Sequence, residues 1–262
     1  MKSFASRLSI ARSAALAAAA VIAFPAWSGA TGVPGRIQPS MTQGVPGGVQ
    51  KLEQTDTSQP KVFGRTYGEW AAQWVAWSEA GPVGANAITD TTGQFCADNQ
   101  RPGHVWFLAG TLGGAAERSC TIPRGRALFY PIVESGWIDC PGTVDETLSD
   151  LEVRNSLEPI FSLPAELSGS LNGVPLASLE VMTVRAQSPV FTSVLPNNNI
   201  WDSVQLCGSV VIGGGRTGRR IDDGYWVMVP PLPPGQHTLK FKGALSGGFE
   251  TSVTYHLTVA PN

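Results

Sequence analysis

Apolar residues recur along this chain at two different periods. Tyr67, Trp70, Ala71, Trp74 and Trp77 fall on one face at helical spacing. They sit behind Thr66-Tyr67-Gly68-Glu69, which has the form of a capping box, and ahead of Gly81-Pro82, which stops a helix. The spacing predicts an amphipathic helix whose tryptophan stripe packs on a sheet rather than stacking on a ligand, with Glu69 used as a cap. From residue 104 the period shortens. Residues 104–112, 118–122 and 126–133 are short, β-branched and aromatic segments broken by Gly and Pro, and read as strands. Thr143-Val144-Asp145-Glu146 reads as a second capping box. It opens a helix carrying Val144, Leu148, Leu151 and Leu157, bounded by Pro159 and Pro164.

Strands alone are expected beyond residue 167. Asn172-Gly173 joins residues 167–171 to 174–176 as a hairpin. Further strands are expected at 178–185, 190–195, 205–212, 224–229, 236–243 and 251–259, where Val253, Tyr255, Leu257 and Val259 alternate. The fold class is therefore mainly β: an antiparallel β-sandwich, jelly-roll or Ig-like, with an N-terminal amphipathic helix and one further helix packed on it.

The first 60 residues follow neither period. Residues 1–30 combine Lys2, Arg7 and Arg12 with an alanine-rich apolar core and the small residues Ser28 and Ala30, the layout of a cleavable secretory signal. An apolar run of ~11 residues is too short to span a bilayer as a helix, and no later segment is apolar enough to try. Residues 31–60, rich in Gly, Pro, Gln, Ser and Thr, read as a disordered linker. Residues 61–262 are left as one β-rich domain, secreted or periplasmic.

Loss of residues 1–30 takes the net charge from −2 to −5, because that segment holds three basic residues and no acidic one. An acidic surface argues against a nucleic-acid partner, whose affinity rests on neutralising phosphates. The glycine-rich residues 213–220 lack the Lys-Ser/Thr of a phosphate-binding loop and read as a solvated hairpin. Four cysteines in an exported chain imply two disulfides out of three possible pairings. Cys96–Cys120 with Cys140–Cys207 is favoured, since the first pair brackets an apparent hairpin.

Residues 64–70 with Trp74 and Trp77, 105–110, 120–125 and the closing stretch Asp223-Gly224-Tyr225-Trp226 through Pro234-Gly235-Gln236-His237-Thr238 are similar to a family of uncharacterised exported bacterial proteins. The resemblance covers nearly all of residues 62–259. It implies export and one coherent module, and no activity or catalytic residue.

No nucleophile elbow, metal-binding histidine pair or zinc spacing is present. His237 shares a strand side with Leu239 and Phe241 and is expected to be a satisfied structural histidine. Asp222-Asp223-Gly224 and Asp90-Thr91-Thr92-Gly93 suit either turns or a calcium site; no other cofactor or metal is expected. The leading functional expectation is a non-catalytic binding module for a polysaccharide or another envelope component, with Trp201, Trp137, Tyr225 and Trp226 as the stacking aromatics and Trp201 the most exposed. A hydrolase with a carboxylate pair drawn from Glu69, Asp90, Asp98 and Asp139 is the alternative, and a self-associating surface protein the third.

Overall fold

The computed structural model describes residues 61–162 and 164–261; the signal and linker expected over residues 1–60 lie outside these. Two sheets pack face to face. The first has four strands in the order β1 (Val105–Phe107), β3 (Ala127–Ile138), β9 (Arg220–Val229) and β6 (Thr183–Gln187). The second has five, in the order β2 (Gly114–Ile122), β11 (Glu250–Val259), β10 (Gly235–Leu245), β4 (Pro164–Leu171) and β5 (Val174–Pro175). A small ribbon pairs β7 (Val194–Leu195) with β8 (Gly215–Arg216). The expected mainly β sandwich is present. Its pairings are antiparallel except β1–β3 and β2–β11, which are parallel.

Strand alternation builds the interior. Leu128, Tyr130, Val227 and Val229 from the first sheet meet Leu239, Phe241, Val253, Tyr255 and Leu257 from the second. Tyr130 stacks on Phe241 with ring centroids 4.6 Å apart. On the outer face of the first sheet lies helix α1 (Tyr67–Ser78), capped by Thr66 and Glu69 as expected. Its Trp74 and Trp77 are buried against Phe107, Phe129 and Trp226. The indole N–H groups of Trp70, Trp74 and Trp77 donate to the carbonyls of Val62, Leu108 and Asp98. The tryptophan stripe is thus core, each ring with its polar atom satisfied.

Arg118 locks the loops to the second sheet. Fully buried on β2, it donates to the carbonyls of Ile88, Asp90, Ala109 and Gly110 and to the Tyr255 hydroxyl. Helix α2 (Asp150–Ser162) packs on β9 and β3, with Phe161 against Tyr225, Val133 and Leu245, and Val153 and Leu157 against Ile221.

Several boundaries differ from the sequence expectation for physical reasons. Thr143 caps only a single 3₁₀ turn, Val144–Thr147. The helix proper starts one turn later, behind a second reciprocal cap between Ser149 and Glu152. Pro159 lies inside α2 rather than at its end. The helix continues because Phe161 is buried there and its carbonyl accepts the Tyr225 hydroxyl. Residues 205–212 form turns, not a strand: Gln205 and Gly208 take positive φ, and Asp202 captures the amides of Ile212 and Gly213. The hairpin at Asn172-Gly173 forms as expected, both residues left-handed. Both disulfides, Cys96–Cys120 and Cys140–Cys207, pair as favoured, with Cα atoms 6.0 and 5.7 Å apart. The first does not bracket a hairpin, however; it ties a loop to β2, while β1 pairs with β3 in the other sheet.

Candidate functional site

Strand β9 is central and buried on both faces along its whole length. Such strands normally read as continuous apolar runs, yet this one begins Arg220-Ile221-Asp222-Asp223. Alternation sends Arg220, Asp222, Gly224, Trp226 and Met228 to the face that carries α1, and Ile221, Asp223 and Tyr225 to the other. Asp223 is fully accounted for. It accepts two bonds from Arg185, at 3.2 and 2.7 Å, and one from Gln187 at 3.0 Å.

Asp222 is not accounted for in that way. It is 1% exposed, and neither carboxyl oxygen accepts a bond from an N–H or from a serine, threonine or tyrosine hydroxyl of the described residues. Its nearest cation is Arg220, at 3.8 Å. Its partner across the ladder is Gly136 of β3, and Glu134, which pairs with Gly224, is its diagonal neighbour on the same face because of a register shift between Pro131 and Val133. Before the shift, Phe129 of β3 shares the α1 face with Met228; after it, Glu134 and Gly136 do. One inserted residue thus turns Glu134 toward Asp222. Glycines face both acids. A Cβ at Gly136 would lie 2.4 Å from Asp222 Oδ2, and one at Gly224 would lie 2.7 Å from Glu134 Cβ. The two missing side chains let the carboxyls meet.

Burial above all, then the Glu134 charge and hydrogen bond, pushes the Asp222 carboxyl well above the usual range. Burial also raises Glu134, with the hydrogen bond to Asp222 and the Arg220 charge partly offsetting it. Two carboxyls can bond each other only through a proton, so Asp222 and Glu134 hold at least one between them. Glu79, the C-cap residue just after α1, is fully buried close by. A negative charge is disfavoured at a helix C-terminus. Arg220, the Ser193 hydroxyl at 2.8 Å and the Trp201 indole N–H at 2.7 Å hold it there.

These groups form one wall of a cavity of about 460 Å³. Beyond Phe129, β1 no longer pairs with β3, and the cavity wraps this open edge. Its other walls come from the end of α1, from α2 through Leu157 and Ile160, from Trp201 and Leu206, and from Leu245 and Phe249. The lining is mainly apolar, with its charges gathered at Glu79, Glu134, Arg220 and Asp222.

The four expected stacking aromatics separate. Trp201 and Trp137 are half-buried and line the cavity. Trp201, on the short helix α3 (Ile200–Ser203), lies beneath the Arg220 guanidinium at 5.9 Å; Trp137 donates to Asp139. Tyr225 and Trp226 are buried, the latter stacked on Phe129 at 5.3 Å, and neither presents a face to solvent. The expected carboxylates do not come together. Glu69 caps α1, Asp90 holds its own turn through Thr92 and Phe95, Asp98 lies on an exposed loop, and Asp139 pairs with Arg219 at 2.9 Å. Asp222 and Asp223 point to opposite faces and cannot share one calcium ion. Among the described residues, no group of three or more His, Cys, Asp and Glu is arranged to hold a metal. His237 is satisfied by the Pro233 carbonyl and the Asn172 amide. In the glycine-rich loop, Arg216, Arg219 and Arg220 are engaged by Thr192, Asp139 and Glu79.

No family model, no curated protein and no solved structure matches this chain. No helix of the described residues is long and apolar enough to cross a membrane. The site is therefore read from its own chemistry.

Proposed function

We propose that this chain is an exported binding protein that takes a small amphipathic molecule into the cavity beside β3. The observation that carries the reading is Asp222, a fully buried carboxyl without an N–H donor among the described residues, set with Glu134 in a mainly apolar chamber. A buried polar group left unpaired costs about 1–3 kcal/mol, and a ligand polar group arriving there regains it. The volume lies in the range of small-molecule sites, which are mostly apolar with a few convergent polar groups. Polar groups confined to one patch suit an amphipathic ligand better than a polysaccharide chain, whose many hydroxyls would each need a partner. A single sugar ring against Trp137 and Trp201 is the saccharide form of the proposal. The two disulfides support export to an oxidising compartment.

The test is titration with N-phenylnaphthylamine, a neutral apolar dye, against the wild type and Leu206→Trp, which fills the chamber from a half-buried wall position. One dye per chain, lost in the variant with circular dichroism and melting unchanged, supports the reading. Equal binding by both proteins overturns it. The shared proton favours a second reading, since such pairs can activate water. Carboxyls close enough to share a proton stand nearer than the ~5 Å or more used by glycosidases, so acyl substrates are the ones to assay. Turnover abolished by Glu134→Gln would replace binding with hydrolysis.

A further inference from the structure

Resting on the cavity as a ligand site, we infer that its ligand is an organic cation: a primary or secondary ammonium on an apolar or aromatic body, with the nitrogen seated at Asp222 and Glu134.

The charge inventory of the chamber points this way. Glu79, Glu134 and Asp222 are its acids and Arg220 its single base. Arg220 is committed to Glu79 and stands 3.8 Å from the nearest Asp222 oxygen. The carboxyl pair is thus left without a cation in contact, its oxygens open to a donor. An ammonium offers up to three donors and a full positive charge to those oxygens, and charge-assisted bonds are roughly twice as strong as neutral ones. It can also take the place of a proton between the two acids, which leaves the charge of the pair and its guest unchanged while adding donors. A carboxylate or phosphate ligand would meet net negative charge, the one base of the chamber being already paired with Glu79. A neutral alcohol can donate one bond but brings no positive charge to the pair.

The remaining geometry suits the same guest. Gly136 is exposed, and Asp222 Oδ2 lies where its side chain would begin, so the pair is reached across that glycine from the open edge of β3. Trp137 and Trp201 border the chamber with half-buried rings, and an indole face within about 6 Å attracts a cation further. The apolar walls from Leu157, Ile160 and Phe249 receive the body of the molecule.

The experiment is isothermal titration of matched pairs at pH 7: phenethylamine with phenethyl alcohol, tryptamine with tryptophol, and octylamine with octanol, plus phenylacetate as the anion. Each is run in two buffers of different ionisation enthalpy. At least one amine should bind ten-fold or more tightly than its alcohol and release up to one proton per molecule bound, and phenylacetate should not bind. Asp222→Asn should bring amine affinity down to the alcohol level while the neutral dye still binds. Alcohols binding as tightly as amines, or phenylacetate binding best, would overturn the cation and leave the cavity reading standing. If neither the probes nor the dye bind, both fall.

Discussion

Asp222→Asn should remove a pH dependence of stability that the wild type carries. An aspartate in the unfolded chain titrates near 3.8, while burial and the Glu134 charge raise the folded group well above that value. The native state therefore binds the proton more tightly than the unfolded state. Stability from this group is complete below about pH 4 and declines as pH rises toward the folded value, after which it is level. The decline is at most about 1.4 kcal/mol per pH unit, or about 2 kcal/mol between pH 5 and pH 6.5. Carboxyls lowered by their hydrogen bonds, such as Glu69 and Glu152, act with the opposite sign. Their contribution is already complete above their ordinary value of 4.5 and does not enter this window. The three histidines are common to both proteins and cancel in the comparison. Urea unfolding followed by tryptophan fluorescence at pH 5, 5.75 and 6.5 measures the two slopes. Wild type should lose stability across the window, and the variant should lose less, by at most about 2 kcal/mol, since Glu134, also raised by burial, keeps its own slope. Parallel slopes, or a wild type that gains stability with pH, would refute the shared-proton pair.

Three further outcomes are expected. Gly136→Ala places a methyl group 2.4 Å from Asp222 Oδ2; it should cost about 1–3 kcal/mol by overpacking and abolish dye and amine binding, as calorimetry and melting will show. Arg220→Met leaves Glu79 buried without its cation and should cost about 3–5 kcal/mol in urea unfolding, whereas adding Glu79→Gln to it should restore part of the loss. Replacing each disulfide by serines should cost more at Cys140–Cys207, which closes 67 residues, than at Cys96–Cys120, which closes 24. Chain entropy gives about 4.4 against about 3.5 kcal/mol, read from midpoints under matched conditions.

Much of the scaffold was legible from residues 66 onward because its signals are local. The Thr66–Glu69 cap, the tryptophan stripe, the Asn172-Gly173 turn and the alternation of residues 253–259 each act within a few residues, and each forms as expected. The failures are also physical. Val210 and Val211 imitate a strand, but positive φ at Gln205 and Gly208 and the grip of Asp202 on the following amides turn that segment into a loop, leaving Val211 exposed. Trp226 looked available as a stacking surface because nothing local distinguishes an aromatic over a sheet interior from one at its rim.

The carboxyl pair was hidden by the property that makes it informative. Arg220, Asp222 and Asp223 read as turn chemistry, so the expected strand began at Gly224, whereas β9 begins at Arg220. Period two does run through the segment. Arg220, Asp222, Gly224, Trp226 and Met228 share one face, and charges on such a face require partners from elsewhere once the strand is central. Those partners, Glu79 and Glu134, lie far away in sequence, and one depends on a single inserted residue in β3 to set its side. The glycines facing Asp222 and Glu134 likewise gain meaning only through that register. A charged onset to a strand whose apolar half is as strong as Tyr225-Trp226-Val227-Met228-Val229 is thus a signal in its own right. It marks charges held inside a sheet by distant residues, and here it leads to Asp222, a buried acid whose oxygens no N–H of the described residues reaches.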